Sequence, residues 1–262
     1  MMTLQEYAEN PMGKANAVMG KFVREAMRQE YTAKFHNVMV RENGKVNYYA
    51  YKDSENNVYY IHVKVPSENV KKFYYDVVFR FYADAGITDN GRDLRKYYVQ
   101  FFSNDPAWVY TYCYAYSQQD LVIKDLSRLM DKTAMNSPAK EKNPQNLVNY
   151  SKIIYFGYMF LVERGLLKVS ALGGAEPYTQ RLLQSRIVPT HKMLLMRQEK
   201  EKEISHRKKV MVDQNTLRKL DRIGLSDQSR DRLVVTTKDA TKVKKVKAVN
   251  NIKNVSKIKK KK

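Results

Sequence analysis

The sequence has one cysteine, Cys113. A single thiol makes no intramolecular disulfide and no cysteine-rich zinc site, so a reducing compartment is open to it. Its four histidines, His36, His62, His191 and His206, are scattered, and none stands at zinc-ligand or metalloprotease spacing. The ten glycines form no phosphate-cradling loop: "NPMGKAN", residues 10 to 16, sets one glycine before Lys14 and lacks the required spacing. No run reaches the ~18 apolar residues of a membrane span. The longest, "IIYFGYMFLV" at 153 to 162, reads as a buried core helix. The opening "MMTLQEYAENPMGKANAV" has no basic stretch followed by an apolar run, so no secretory signal is expected.

Acid is also scarce. Against 48 Lys and Arg there are 27 Asp and Glu, a net charge of +21 over 262 residues. A field of that size favours a polyanionic partner, and nucleic acid fits best, because each neutralised phosphate releases counterions. The alternative is a soluble basic protein whose charge merely prevents self-association. Twenty tyrosines, nine phenylalanines and a 43% hydrophobic content set the chain apart from disordered sequences.

Residues 4 to 35 read as helical, since Ala15, Val18, Met19, Phe22, Val23 and Met27 recur at three- and four-residue spacings. Pro11 and Gly13 place the continuous helix from about Lys14. From His36 the period becomes two, with turn signals at Asn43-Gly44 and Asp53 to Asn57, predicting two or three antiparallel strands. "FYYDVVFRFYAD" and "DLRKYYVQFF" supply further β-rich runs, although the four-residue spacing of Asp76 and Arg80 also suits a helix. "SQQDLVIKDLSRLM" and "NLVNYSKIIYFGYMFLVERGLL" read as helices around a proline-containing loop. The expected fold is α+β: a small antiparallel sheet flanked by helices, then a charged helical segment and a basic extended tail. The corresponding boundaries are a body over 1–175, the charged segment over 176–232 and the tail over 233–262.

Residues 238 to 262 hold eleven lysines and one aspartate. Val243, Val246, Val249, Ile252, Val255 and Ile258 recur every third residue, which no single α-helical face accommodates but one stripe of an extended polyproline-like chain does. The expected nucleic-acid contacts are Lys242, Lys244, Lys245, Lys247, Lys253, Lys257, Lys259, Lys260, Lys261 and Lys262, with Arg207, Lys208 and Lys209 from the charged segment. Within the body, "KVNYYAYK" and "RKYYVQFF" interleave bases with aromatics on strands, the arrangement that lets nucleobases stack.

No catalytic, metal-binding or cofactor residue is assigned, and no small-molecule substrate is evident. Asp76, Asp84, Asp93 and Asp105 are the acids a metal-dependent nuclease would draw on, but they lack a carboxylate cluster with a neighbouring lysine. His62 reads as a partly exposed strand residue and Cys113 as a small buried hydrophobe. In "FFSNDPAWVYTYCYAY", residues 101 to 116, Asp105 before Pro106 signals a helix start. Trp108, Tyr110, Tyr112, Tyr114 and Tyr116 alternate as a strand would. The capping residues favour the helix, with its aromatics buried; Trp108, Tyr110 and Tyr114 are the candidates for protein contacts.

"VQFFSNDPAWVYTYCYAY", the Asn143-Pro144 pair and "YSKIIYFGYMFLVERGLL" together resemble virion-associated proteins of large tailed bacteriophages, over about residues 95 to 167. The resemblance implies a structural role at a head, portal or neck surface beside packaged DNA, with virion proteins or further copies of the chain as partners. It implies a location in the virion and host cytoplasm and no catalytic residue; that no membrane partner is expected follows from the short apolar runs. The competing expectations are a free DNA- or RNA-binding regulator and a metal-dependent nuclease.

Overall fold

A computed structural model describes residues 1–35, 47–83, 93–131, 133–139 and 142–222, with backbone alone for 35 and 207–222. Thr3 opens the chain's first helix, α1 (Leu4–Glu9), with a capping box: its hydroxyl accepts from Glu6 N–H at 3.2 Å and the Glu6 carboxylate accepts from Thr3 N–H at 2.8 Å. A short 3-10 turn at Lys14–Asn16 leads into α2 (Ala17–Glu30), which ends in one π-helical turn, Tyr31–Phe35. The helical period of α2 is as the sequence predicts, but its apolar stripe is not buried. Val18 is 88% exposed and Phe22 73%, while Gly20 is the buried residue, packed against the Asn10 side chain.

Among the described residues five strands follow: β1 (Tyr48–Asp53), β2 (Val58–Pro66), β3 (Tyr74–Tyr82), β4 (Tyr98–Ser103) and the two-residue β5 (Glu176–Pro177). Their order is β4-β3-β2-β1-β5. β1 to β4 pair antiparallel and β5 runs parallel to β1, so the sheet is mixed where a purely antiparallel one was expected. The β1–β2 turn forms at Asp53 to Asn57, as its residues predict: the Asp53 carboxylate accepts from Glu55 and Asn56 N–H, and Asn57 takes a positive φ of 50°. The Asn43-Gly44 turn lies outside the described residues. Asp76 and Arg80 share one face of β3, because four residues is an even spacing on a strand as well as one turn of helix.

One sheet face carries Ile61, Val63, Val77, Phe79, Phe81, Val99 and Phe101, all buried, beneath α1 and the later helix at Lys152–Glu163. Tyr7 packs on Phe101 with ring centres 4.6 Å apart. Burying each side chain of this size contributes about 1.5–3 kcal/mol, so this layer holds the sheet to its helices. The opposite face mixes polar and apolar residues, with the rows Tyr60–Arg80–Gln100, His62–Val78–Phe102 and Lys64–Asp76 in register across β2, β3 and β4.

Two expected helices differ. "SQQDLVIKDLSRLM" is not an α-helix after Gln118: Leu121 to Ile123 run beside β4, where Phe101 N–H donates to Leu121 and Ile123 N–H to Phe101, before a 3-10 turn at Lys124–Leu129. An edge strand's unpaired amides favour such cover over continued helix. The second helix, α5 (Lys152–Glu163), starts later than its apolar pattern. It stops at Gly165, φ +66°, where Leu166 N–H reaches back to Leu161 and Gly165 N–H to Val162. Between β4 and α5 lie α3 (Pro106–Thr111) and α4 (Cys113–Gln118); α6 (Gln180–Ser185) and α7 (Thr190–Arg222) complete the order. The chain forms two compact units, Met1–Glu201 and Lys202–Lys262, so β5, α6 and the start of α7 belong with the body.

Candidate nucleic-acid interface

The two base-interleaved strands do not display open rings. In β4, Phe101 and Phe102 are fully buried; just before it, Tyr97 is nearly so and Arg95 is held by the Asp93 carboxylate at 2.6 Å. In β1, Tyr51 is buried and the Arg186 guanidinium lies 4.4 Å from the Tyr49 ring centre, also donating to the Tyr51 hydroxyl at 3.1 Å. Tyr48 is 43% exposed and Tyr49 and Tyr98 are partly exposed, so the core takes Tyr51, Phe101 and Phe102 and leaves no continuous row of open rings.

The aromatic corner is helical, as its capping residues predict. The Asp105 carboxylate accepts from Trp108 N–H at 3.1 Å and Pro106 occupies the first turn. Trp108 is fully buried between Phe102 and Tyr116, which corrects its assignment as a contact residue. Tyr114 is half-buried and Tyr110 is 47% exposed. Tyr116 bonds the Tyr7 hydroxyl at 2.9 Å and donates to the Asn149 carbonyl, tying the corner to α1. Cys113 is buried beside Met130, and burial pushes its thiol up to about 12, as suits an inert core residue.

Tyr110 stands on the rim of a groove of about 520 Å³ between α3, residues 133–139 and the first turns of α7. Pro106, Ala107 and Pro138 line it with apolar surface, and Lys142 and Arg197 bring two cations to it. Arg197 is shared with Glu201 at 2.8 Å and the Tyr75 hydroxyl at 3.2 Å. Neither cation stood out in the sequence, because three separated segments form the groove and no local pattern links them.

Three of the four acids that a nuclease would draw on have partners within the fold. Asp76 is fully buried and accepts from His62 Nε2 at 2.7 Å, Lys64 Nζ at 2.6 Å, Asn104 Nδ2 at 2.7 Å and Val188 N–H at 2.9 Å. A lysine does neighbour a carboxylate on adjacent strands, which the sequence did not reveal, but among the described residues no second carboxylate joins them. His62 is wholly buried rather than partly exposed, because residues 186–188 fold over this face: Lys64 donates to the Arg186 carbonyl and Asn104 to that of Val188. Asp93 holds Arg95, Asp105 caps α3, and Asp84 lies outside the described residues. Among the described residues, no group of three His, Cys, Asp or Glu is placed to hold a metal ion.

The remaining cations are unevenly distributed. Residues 1 to 201 carry 28 Lys and Arg against 21 Asp and Glu, whereas residues 202 to 262 carry 20 against six. The second unit thus holds +14 of the +21. Arg207, Lys208 and Lys209 lie on α7, and Lys242 to Lys262 lie outside the described residues. No helix among the described residues is long and apolar enough to cross a membrane. Compared with protein-family models, curated proteins and solved structures, the chain matches none.

Proposed function

We propose that the chain is a non-enzymatic structural protein of a phage particle, which engages packaged nucleic acid through its basic C-terminal arm and neighbouring virion proteins through its folded body. The observation that carries the nucleic-acid part is the segregation of charge. A 201-residue body with a modest +7 precedes 61 residues with +14, and many of the body's carboxylates are already paired with its own cations. Concentrated lysines without matching acid suit phosphate contacts that carry no sequence information. The commitment of Asp76, Asp93 and Asp105 to internal partners favours binding over cleavage. The particle assignment rests on the likeness of residues 95 to 167 to virion-associated proteins.

Binding to a DNA duplex across a salt series tests the first part. Affinity should fall steeply between about 50 and 200 mM salt. Replacing Lys242, Lys244, Lys245 and Lys247 by glutamine should lower the slope of log affinity against log salt by about 3–4. A slope unchanged by these replacements would remove the arm from the interface. Mass spectrometry of purified particles tests the second part: a stoichiometric copy number is expected, and absence from the particle would turn the reading to a free nucleic-acid-binding regulator.

A further inference from the structure

We propose that the groove beside Tyr110 is a subsite for one nucleotide of single-stranded nucleic acid, a body contact separate from the C-terminal arm. It rests on the same partner class as the function proposed above but on different residues. Tyr110 is the exposed aromatic of the corner, and its hydroxyl donates to Asp131 Oδ2 at 3.3 Å, which fixes the ring at the groove's edge. Asp131 is itself anchored by Thr133, whose N–H and hydroxyl both donate to Oδ1, at 3.0 and 2.8 Å. The ring's support is therefore built rather than incidental. Beside it, Pro106, Ala107 and Pro138 form an apolar surface without charge, and Lys142 and Arg197 lie on the same groove. Both cations act electrostatically on the buried Asp105 carboxylate, and Arg197 also keeps Glu201.

A flat ring against tyrosine with a phosphate against lysine and arginine matches this arrangement of apolar and cationic surface. The volume, about 520 Å³, lies in the range of small-ligand sites and takes one nucleotide but no duplex. Shape and charge together distinguish the groove from the arm, whose phosphate contacts do not require an unpaired base.

The test is fluorescence anisotropy of the full chain with a labelled single strand of about ten nucleotides and with the same sequence as duplex. Tyr110→Ala should weaken single-strand binding by about tenfold and leave duplex binding unchanged. Tyr110→Phe, which keeps the ring, should bind as the unaltered chain does. Lys142→Gln should lower the single-strand salt slope by about one. Equal loss for both strands, no loss with Tyr110→Ala, or displacement of the single strand by an oligoglutamate peptide in a Tyr110-dependent way would each overturn the subsite. The two readings fail differently. An arm without a role shows as unchanged duplex affinity when its lysines are replaced, whereas a groove without a role shows as a Tyr110→Ala chain that still binds single strands normally.

Discussion

His62 Nε2 lies 2.7 Å from Asp76 Oδ1 with both side chains wholly excluded from solvent. Burial is the largest influence on His62 and lowers its pKa; the Asp76 bond opposes it without reversing the direction. For Asp76, burial pushes upward, but the His62 and Lys64 bonds prevail and hold the carboxyl below its ordinary range. A neutral imidazole donating to an ionised carboxylate that also binds the Lys64 ammonium satisfies both directions.

The pair makes stability depend on pH in a defined window. A histidine with a depressed folded pKa binds fewer protons folded than unfolded below about 6.5, so stability falls as pH drops through that value. The Asp76 contribution is present above about 3.9 and is lost only in stronger acid, as pH passes its depressed folded value. Urea unfolding at pH 7, 6 and 5 should therefore show falling stability, with a limiting slope of about 1.4 kcal/mol per pH unit. His62→Gln keeps an amide donor for Asp76 but has no proton to gain, and should flatten the dependence. Parallel curves for the two chains would mean that His62 titrates alike folded and unfolded.

How much of this was legible differs from residue to residue. The Asp105-Pro106 corner was, because capping is a local arrangement of side chain and backbone. β2 and β3 were, because alternation is local too. The burial of His62 was not, since its cover arrives from Val188, 112 residues beyond Asp76. The same limit hid the pairing of Leu121 to Ile123 with β4, where a run rich in apolar residues fits a helix or an edge equally well. In α2 periodicity identified the helix but not its burial: Val18, Met19 and Phe22 have the spacing of a core stripe and stand exposed. The groove cations were hidden because Lys142 and Arg197 come together only in three dimensions.

Trp108 separates stability from binding. Its side chain is fully buried against Phe102 and Tyr116, and its indole N–H has no partner among the described residues. Trp108→Ala should cost about 3–5 kcal/mol through the cavity it leaves. Trp108→Phe should cost less, because it also removes a buried unsatisfied donor. Thermal unfolding followed by circular dichroism measures both. Nucleic-acid affinity, read well below the unfolding transition, should match that of the unaltered chain. A Trp108→Ala chain that keeps its stability and loses binding would return the ring to the surface.

Gly157 fixes how closely α5 approaches the sheet. A Cβ there would lie 3.1 Å from two atoms of the Phe79 ring and 3.2 Å from Val77 Cγ1, closer than ordinary contact. Alanine raises helix propensity by about 1 kcal/mol, so the sign depends on whether the neighbours can yield. Phe79 is confined by Phe81 at 6.2 Å and Phe101 at 5.7 Å between ring centres, within a layer wholly buried, so it has little room to retreat. Overpacking of this kind costs about 1–3 kcal/mol, more than the propensity gain. Gly157→Ala should thus destabilise the body by about 1 kcal/mol, and Gly157→Val by more, as its branch both crowds Val77 and disfavours the helix. Denaturant unfolding of the two variants decides it: a more stable alanine variant would mean that α5 shifts on the sheet to admit the methyl group.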